Sequence, residues 1–547
     1  MSTATRPLPL TGVLRLGRPS DIWFKPALSV VAAVAPPNLA LLALGRLDLA
    51  MYTMAGSLCA LYGHNRPYPA RARALFRVVL GMVGGLAVAL VAASLTTDAV
   101  VLVTVGALMA AVQKVLCDAS RIGPPGNVVL TFISSASLFA PQTLGQVPGH
   151  VGLALAAGAW AWLVGMAPGL LRPHGPERRA TAHALNAAAA YAETRGTGDP
   201  HAKARAAGAA VQAAWQSLLA TGARTDRTRR ALEHLVVRAE VALAAPADAD
   251  PERLRGWARD LRGTGRVPRV AGADDELLGV DAELAVPLRP LWHRLGPLAP
   301  LAARTALGCA LAGYASLALG VGRPYWALVT AASLYQANVT LTWSRGVQRV
   351  VGNLLGVLVF AAVVPLAHLH PAALVLCCLA FNFGAEALIG RNYWLGSVCV
   401  TPMALLITEF ARTQDAGQLI TERIVDTLVG ALVGFVTAVL VTNRRAGDRI
   451  EHALTSVERA REQAARVLAE PHPAPRALES ARRTLSAALA ELRATADAAS
   501  GEWWQRALPQ ERVVLAEQSG HRTLAATVRR QGPHSWDHAR TTEDVRP

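Results

Sequence analysis

Twelve apolar runs, most near the roughly 20 residues a helix needs to cross a bilayer, dominate this chain of 547 residues. Six fall at 22–44, 47–62, 75–95, 99–116, 128–142 and 151–171, and six more at 298–319, 325–341, 350–366, 372–389, 393–407 and 424–442. In lipid every backbone N–H and C=O must be satisfied within its own segment or by a closed barrel, so runs of this length and composition predict helices. Hydrophobic residues make up 52% and charged residues 17%, and the mean hydropathy is +0.30. That balance requires most of the apolar residues to lie in lipid. The runs at 47–62 and 128–142 are the shortest of the first set. Pro36-Pro37 interrupts the first run and predicts a kink or an unwound turn there.

Between the two sets the character changes. Residues 172–298 are polar and rich in Ala, Arg and Glu, with helices expected at 176–194, 201–219, 225–243 and 251–261. Apolar residues recur there at intervals of three and four, as in Leu232, Leu235, Val236 and Ala239, so each helix has a stripe to bury. A Gly/Pro/acidic connection over 263–279 leads back to the membrane, and a second polar helical segment follows the last run. The expected organisation is a first membrane repeat (1–171), a cytoplasmic helical domain (172–298), a second, transporter-like membrane repeat (299–443), a C-terminal cytoplasmic helical segment (444–531) and a disordered tail (532–547).

The net charge of +16 sits largely in connections beside apolar runs. It lacks the interleaved aromatic residues of nucleic-acid platforms, so a lipid bilayer is the expected partner and nucleic acid is not. With the N-terminus inside, connections 64–77, 118–123, 172–297, 342–349, 390–392 and 443 onward hold most of the loop Lys and Arg. The other side keeps only Arg46, Arg323, Arg412 and Arg423. The positive-inside rule therefore predicts a multi-pass protein of the plasma membrane with both termini cytoplasmic.

The two sets also match each other. Arg77-Val-Val with Gly84 parallels Arg349-Val-Val with Gly356, and Arg121-x4-Gly126-x-Val128-x2-Thr131 parallels Arg391-x4-Gly396-x-Val398-x2-Thr401. Both begin from the cytoplasmic side, which predicts an all-α polytopic membrane protein. Its two parallel repeats, of about six transmembrane helices each, are related by an axis along the membrane normal.

The stretch from Gly322 to Phe360 is the most distinctive. It opens Pro324-Tyr325-Trp326-Ala327, passes a basic connection with Arg345 and Arg349, and continues as Arg349-x-x-Gly352-x-x-x-Gly356. Gly352 and Gly356 share one helix face and let a second backbone approach closely; Gly430 and Gly434 repeat the spacing in the last run. This string resembles the fusaric acid resistance-like, or aromatic acid exporter, family of bacterial membrane proteins, best in its integral-membrane transporter domain. Asn353 stands where the family's strict form has Thr. The resemblance implies a proton-motive-force-driven exporter of aromatic carboxylic acids or similar organic anions.

Ionisable residues at membrane depth are functional candidates because lipid makes them costly. Glu386 reads either as a proton-coupling carboxylate or as the partner of Arg391. Asp426, three residues after Arg423, reads as a structural ion pair or as a second coupling site. Arg349 and Arg77 either draw a small organic anion to the cytoplasmic mouth or simply anchor the chain. Tyr325 and Trp326 either stack on that solute or belong to the interfacial aromatic belt. Lys114 and Asp118 are spaced to pair. No G-x-x-x-x-G-K-[ST] loop, G-x-S-x-G elbow or H-E-x-x-H motif occurs, so an ATP-driven pump and an enzyme are disfavoured and no cofactor is expected. His368-Leu-His370 reads as an interfacial pair and not as a metal site. The six cysteines lie in or beside apolar runs and read as packing residues. A homo-oligomer is compatible with the sequence. The alternative to a transporter is a membrane-anchored scaffold or sensor acting through its cytoplasmic helical domains. A fluorescent protein fused after Pro547 is expected to fluoresce and alkaline phosphatase fused there to be inactive; an active phosphatase would invert the topology.

Overall fold

The computed structural model describes residues 8–531 apart from 9, 18, 20–21, 195–199, 222–225, 245, 248, 264, 270–294, 337, 411–412, 442–445 and 501–509. The 532–547 tail, Arg412 and most of the 263–279 connection lie outside the described residues. Every regular element among the described residues is helical. The first membrane half comprises α1 (Phe24–Ala43), α2 (Ala50–Ser57, flanked by 3₁₀ turns), α3 (Tyr68–Leu95), α4 (Ala99–Ala119), α5 (Val128–Leu138) and α6 (Val147–Met166). Four polar helices follow: α7 (Gly175–Ala192), α8 (Pro200–Leu219), α9 (Arg227–Ala244) and α10 (Pro251–Arg262). The second membrane half comprises α11 (Ala299–Ala318), α12 (Tyr325–Leu334), α13 (Val339–Ala367), α14 (Pro371–Ile389), α15 (Tyr393–Thr408) and α16 (Ala416–Leu440). Polar helices α17 (Ala446–Ala469), α18 (Pro475–Ser500) and α19 (Gln510–Gln531) close the described chain.

Eight helices are long and apolar enough to span a bilayer: α1, α3, α4, α6, α11, α13, α14 and α16. The other four apolar helices are short, and they are the second and fifth of each half. At 1.5 Å per residue α12 rises only about 15 Å, half of a roughly 30 Å hydrocarbon core. Such breaks at membrane depth survive only where protein or a polar cavity shields the freed backbone groups. Burial follows that rule: all ten residues of α12 are buried. The exposed large apolar side chains of the membrane helices, such as Leu80, Leu108, Leu307 and Leu432, lie on long spans and none on α2, α5, α12 or α15. Eight helices thus face lipid and four are inside.

Two expectations need correction. The basic stretch at 342–349 is not a connection: α13 runs unbroken from Val339 through Arg345 and Arg349, and the chain turns earlier, at 335–338. Asn338 makes that early start by accepting from the Leu341 amide at 2.8 Å, a side-chain cap. Of the kink or unwound turn expected at Pro36-Pro37, the unwound turn is not formed, since α1 continues through both prolines.

The halves interlock. Helix α1 packs on α14 of the second half, and α11 packs on α4 of the first. One apolar core runs across both, from Val30 and Met82 to Phe360 and Leu405. The N-terminal segment lies on one face, where Gly17 N donates to Arg391 O at 2.8 Å and the side chains of Gln348 and Asn392 donate to Val13 O. On the same face Tyr62 donates to Gly126 O at 2.7 Å, and Arg73 reaches Ala220 O of the polar helices at 3.1 Å. His64 beside them accepts from Arg71 at 3.1 Å, and burial with that neighbouring charge pushes its pKa down to about 3, so it stays neutral. Arg71, Arg345, Arg349 and Arg391 belong to this face, and Lys114 and Asp118 pair at 3.2 Å toward it. The opposite face carries Arg46 with Asp48, Arg323 with Glu422, and His368 with Glu409. His370 caps α14 by accepting from the Ala372 amide.

Helices α7–α10 bury their own core around Leu185, Trp215 and Leu235, and α17–α19 bury another around Val457, Leu485 and Leu492. A buried charge network that the sequence did not signal joins them. Glu240 of α9 accepts from Trp215 Nε1 at 3.1 Å and pairs with Arg482 of α18 at 3.5 Å. Glu479 takes both Arg482 and Arg483 at 2.7 Å, and Arg483 lies 3.6 Å over the Trp215 ring. Removing one member of a buried pair strands the other's charge. Glu479→Ala is therefore expected to cost about 3–5 kcal/mol and to part α18 from α8 and α9, read as faster proteolysis within 172–298; an unchanged digest would contradict the contact.

Candidate functional site

The polar residues at membrane depth collect in the second half, where five helices meet. Glycines make the approach close enough. A Cβ on Gly352 would stand 2.5 Å from Ser397 Cβ and 2.6 Å from the Trp394 carbonyl, and one on Gly356 3.0 Å from the Val398 carbonyl, so α13 lies directly on α15. Gly430 and Gly434 of α16 do the same against α12, where a Cβ on Gly434 would meet Ala331 at 3.1 Å. With helices this close, small polar side chains bridge them. Asn353 donates to Thr427 Oγ1 at 2.9 Å and accepts from Thr401 Oγ1 at 2.6 Å, joining α16, α13 and α15 in one chain.

The charged members sit beside this bridge. Asp426 is fully buried and accepts from Ser316 Oγ of α11 at 2.5 Å, while its Oδ2 has no partner. Arg423 is 1% exposed, and its guanidinium lies 4.0 Å over the Trp326 ring. Its Nε and Nη1 face no acceptor. The expected Arg423–Asp426 ion pair is not made: the two share a face but do not come within ion-pair distance. Asp426 is held by the serine and Arg423 by the aromatic ring, a contact worth about 2 kcal/mol when desolvated. Arg349 and Asp426 are close enough for their charges to bear on Arg423.

Arg349 is 3% exposed and donates to Tyr393 Oη at 2.9 Å, and Arg345 stacks over the same ring at 3.7 Å. The reading of Arg349 as a surface anchor is thereby corrected, because its helix continues inward and Tyr393 takes its head group. Arg77 is exposed and Gly84 has nothing within 4 Å, so the sequence match to Arg349 and Gly356 does not carry over to environment. Arg71, 4% exposed, is the buried arginine of α3. Tyr325 and Trp326 do not form an interfacial belt. They are 5% and 1% exposed, and they meet Phe139 and Phe132 of the first half at 5.7 and 5.5 Å between ring centres.

Glu386 stands apart on α14. It makes no hydrogen bond or ion pair among the described residues, so the expected partnership with Arg391 is absent. Its helix is the one that packs on α1 of the first half. The first half has its own polar bridge, Thr131 to Gln113 at 3.0 Å and Gln113 to Ser134 at 2.8 Å, but it carries no charge.

Fold and polar centre together define a multi-pass, all-helical membrane protein with charge held inside its second half. Residues 310–437, within that half, match the family described as fusaric acid resistance protein-like. A Bacillus subtilis (strain 168) protein, the uncharacterized membrane protein YvaC, is 30% identical over 148 residues, covering 26% of this chain and 23% of its own length. No solved structure matches.

Gly352→Leu and Gly430→Leu are each expected to abolish a monodisperse peak in detergent size-exclusion chromatography. Gly84→Leu, which points into open space, is expected to elute as the parent does. Equal behaviour of all three would refute close packing of α13 on α15 and of α16 on α12.

Proposed function

We propose that this protein exports an organic anion across the plasma membrane, with both polar helical units and both termini in the cytoplasm. The observation that carries the reading is the buried guanidinium of Arg423. Among the described residues two of its donors meet no acceptor, while Arg349 adds like charge and Asp426 opposite charge nearby. A membrane protein keeps such groups at a cost unless they serve function, and guanidinium matches carboxylate geometry. The family name refers to resistance to fusaric acid, which supports an aromatic carboxylate as the solute, and the Tyr325 and Trp326 rings would flank it.

The pathway would run between two parallel repeats. Support comes from the short second and fifth helices of both halves and from the reciprocal packing of α1 on α14 and α11 on α4. The membrane potential, negative inside, drives an anion outward with about 2.3 kcal/mol per charge per 100 mV. Electrostatics then assigns a sign to Asp426. Protonated, it leaves both arginines uncompensated and tightens anion capture; ionised, it competes with the solute and favours release. That sign alone would carry a proton outward with the anion. Inward proton coupling therefore falls to Glu386 on α14, or is dispensable beside the potential.

In cells given a panel of aromatic acids, expression is expected to lower accumulation of one of them, and collapse of the proton-motive force to abolish the difference. Arg423→Gln, inserted normally, is expected to reduce efflux at least tenfold, and Asp426→Asn to bind the solute more tightly while exporting it more slowly. Parental efflux by Arg423→Gln would sink the assignment. The buried network between α9 and α18 favours a second reading, a scaffold or sensor; a stoichiometric soluble partner with no solute phenotype would support it.

A further inference from the structure

Two adjoining cavities lie where the basic face of the membrane domain meets α7–α10. The larger encloses about 1810 Å³, and its described lining includes seven arginines and Lys25 but no carboxylate. Four of these cations converge from three elements: Lys25 from the start of α1, Arg172 after the turn at Pro168–Leu171, and Arg178 and Arg179 from α7. Among the described residues none of the four forms an ion pair. Arg178 spends its donors on the carbonyls of Leu261 and Asp260. Arg179 gives Nε to Gly175 O at 3.2 Å, and its buried Nη1 has no partner. Among the described residues the side chains of Lys25 and Arg172 make no hydrogen bond. Burial, and then the like charge of Arg172, pulls the Arg179 guanidinium below its ordinary value, against the opposing pull of Tyr68 and Glu177. Like charges gathered in a partly desolvated space, with Glu177 the one carboxylate acting on Arg179, are further stabilised by an anion.

The smaller cavity, about 710 Å³, shares Tyr68, Pro173 and His174 with the first. This is the size of a small-molecule site. Trp162, Leu163, Met166 and Leu170 wall it from the membrane side, and Leu218 and Leu232 from the polar helices. Leu163 is 55% and Leu170 88% exposed at the end of a membrane helix, which sets the mouth of this slot at the level of lipid. Its polar end carries Glu177 and Asp226. Burial holds the Glu177 carboxyl above its usual range, its Oε2 has no partner, and Asp226 pairs with His174 at 3.1 Å. The slot's one arginine, Arg229, is already engaged by Glu233 at 2.8 Å, so beside the two carboxylates it draws an anion little. A ligand filling both cavities must therefore put its negative end among the arginines and its apolar end in the slot.

We propose that this junction binds an anionic phospholipid from the adjacent leaflet, its phosphate held by Lys25, Arg172 and Arg179 and an acyl chain seated against Trp162 and Met166. A free phosphate would satisfy the cations but leave the slot unused. The lipid satisfies both, and the slot opens where lipid is. The site is independent of the transport pathway, because no residue of the Arg423 centre takes part.

The test uses the full-length protein in nanodiscs of phosphatidylcholine with a graded fraction of phosphatidylglycerol, then native mass spectrometry after mild detergent release. The parent is expected to retain phosphatidylglycerol at low mole fraction. Arg172→Gln/Arg179→Gln should retain at least tenfold less, and Arg172→Lys/Arg179→Lys should restore much of it. Ala167→Trp, which fills the slot from an exposed position, should lose the lipid yet still bind inorganic phosphate by calorimetry. Undiminished retention in the Gln variant, with a parental elution profile, overturns the proposal. Parental retention in Ala167→Trp, or displacement of the lipid by millimolar inorganic phosphate, also overturns it, by showing that the vestibule holds a free anion alone.

Discussion

Backbone polar groups cannot be left bare in hydrocarbon, and from that constraint most of this architecture follows. Helices α2, α5, α12 and α15 are too short to cross, so their ends must be enclosed by longer neighbours. Enclosure demands close contact, which is why glycines on α13 and α16 face α15 and α12. Close contact in turn lets hydrogen-bond chains such as Thr401–Asn353–Thr427 run from helix to helix, and the same shelter accommodates Arg423 and Asp426 where lipid would not.

Much of this was legible in the sequence. Hydropathy located all twelve apolar helices, because the difference between lipid and water acts on every residue of a run and the signal accumulates. Helix boundaries were less legible. The basic residues of 342–349 look like a connection because charge normally marks the membrane edge. In the structure α13 carries them as part of a 29-residue helix, buried by partners that local sequence cannot reveal. Likewise Pro36-Pro37 signals a kink or an unwound turn, yet α1 stays helical through both, since neighbours and local adjustment re-satisfy the freed groups in a packed membrane helix.

The site was legible in part. Rarity of charge at membrane depth was enough to single out Asp426 and Glu386, whereas Arg349 stood out by its place in the Arg-x-x-Gly-x-x-x-Gly string. Spacing suggested an Arg423–Asp426 pair, but proximity along a helix does not fix what each head group meets. Ser316 and Trp326, from two other helices, captured the two ends separately. Arg77 shows the converse limit, for it shares Arg349's local sequence but not its surroundings. Tyr325 and Trp326 looked like belt residues because their composition is that of a belt, whereas the shortness of α12 draws them into the contact between halves. The basic cavity beside α7 was not visible at all, as its cations come from segments separated by almost the whole first membrane half.

The reciprocal packing of α1 on α14 and α11 on α4 bears on how the protein is made. A helix that emerges first must remain in the bilayer without its partner until the ribosome has produced the far half. At about 5–20 residues per second, that wait is on the order of tens of seconds. During that time the part of the α1 face that packs on α14 stands against lipid or the insertion machinery. Assembly is therefore closed by the second half folding back onto the first, and the order of synthesis makes α14 the element on which completion of the membrane domain depends.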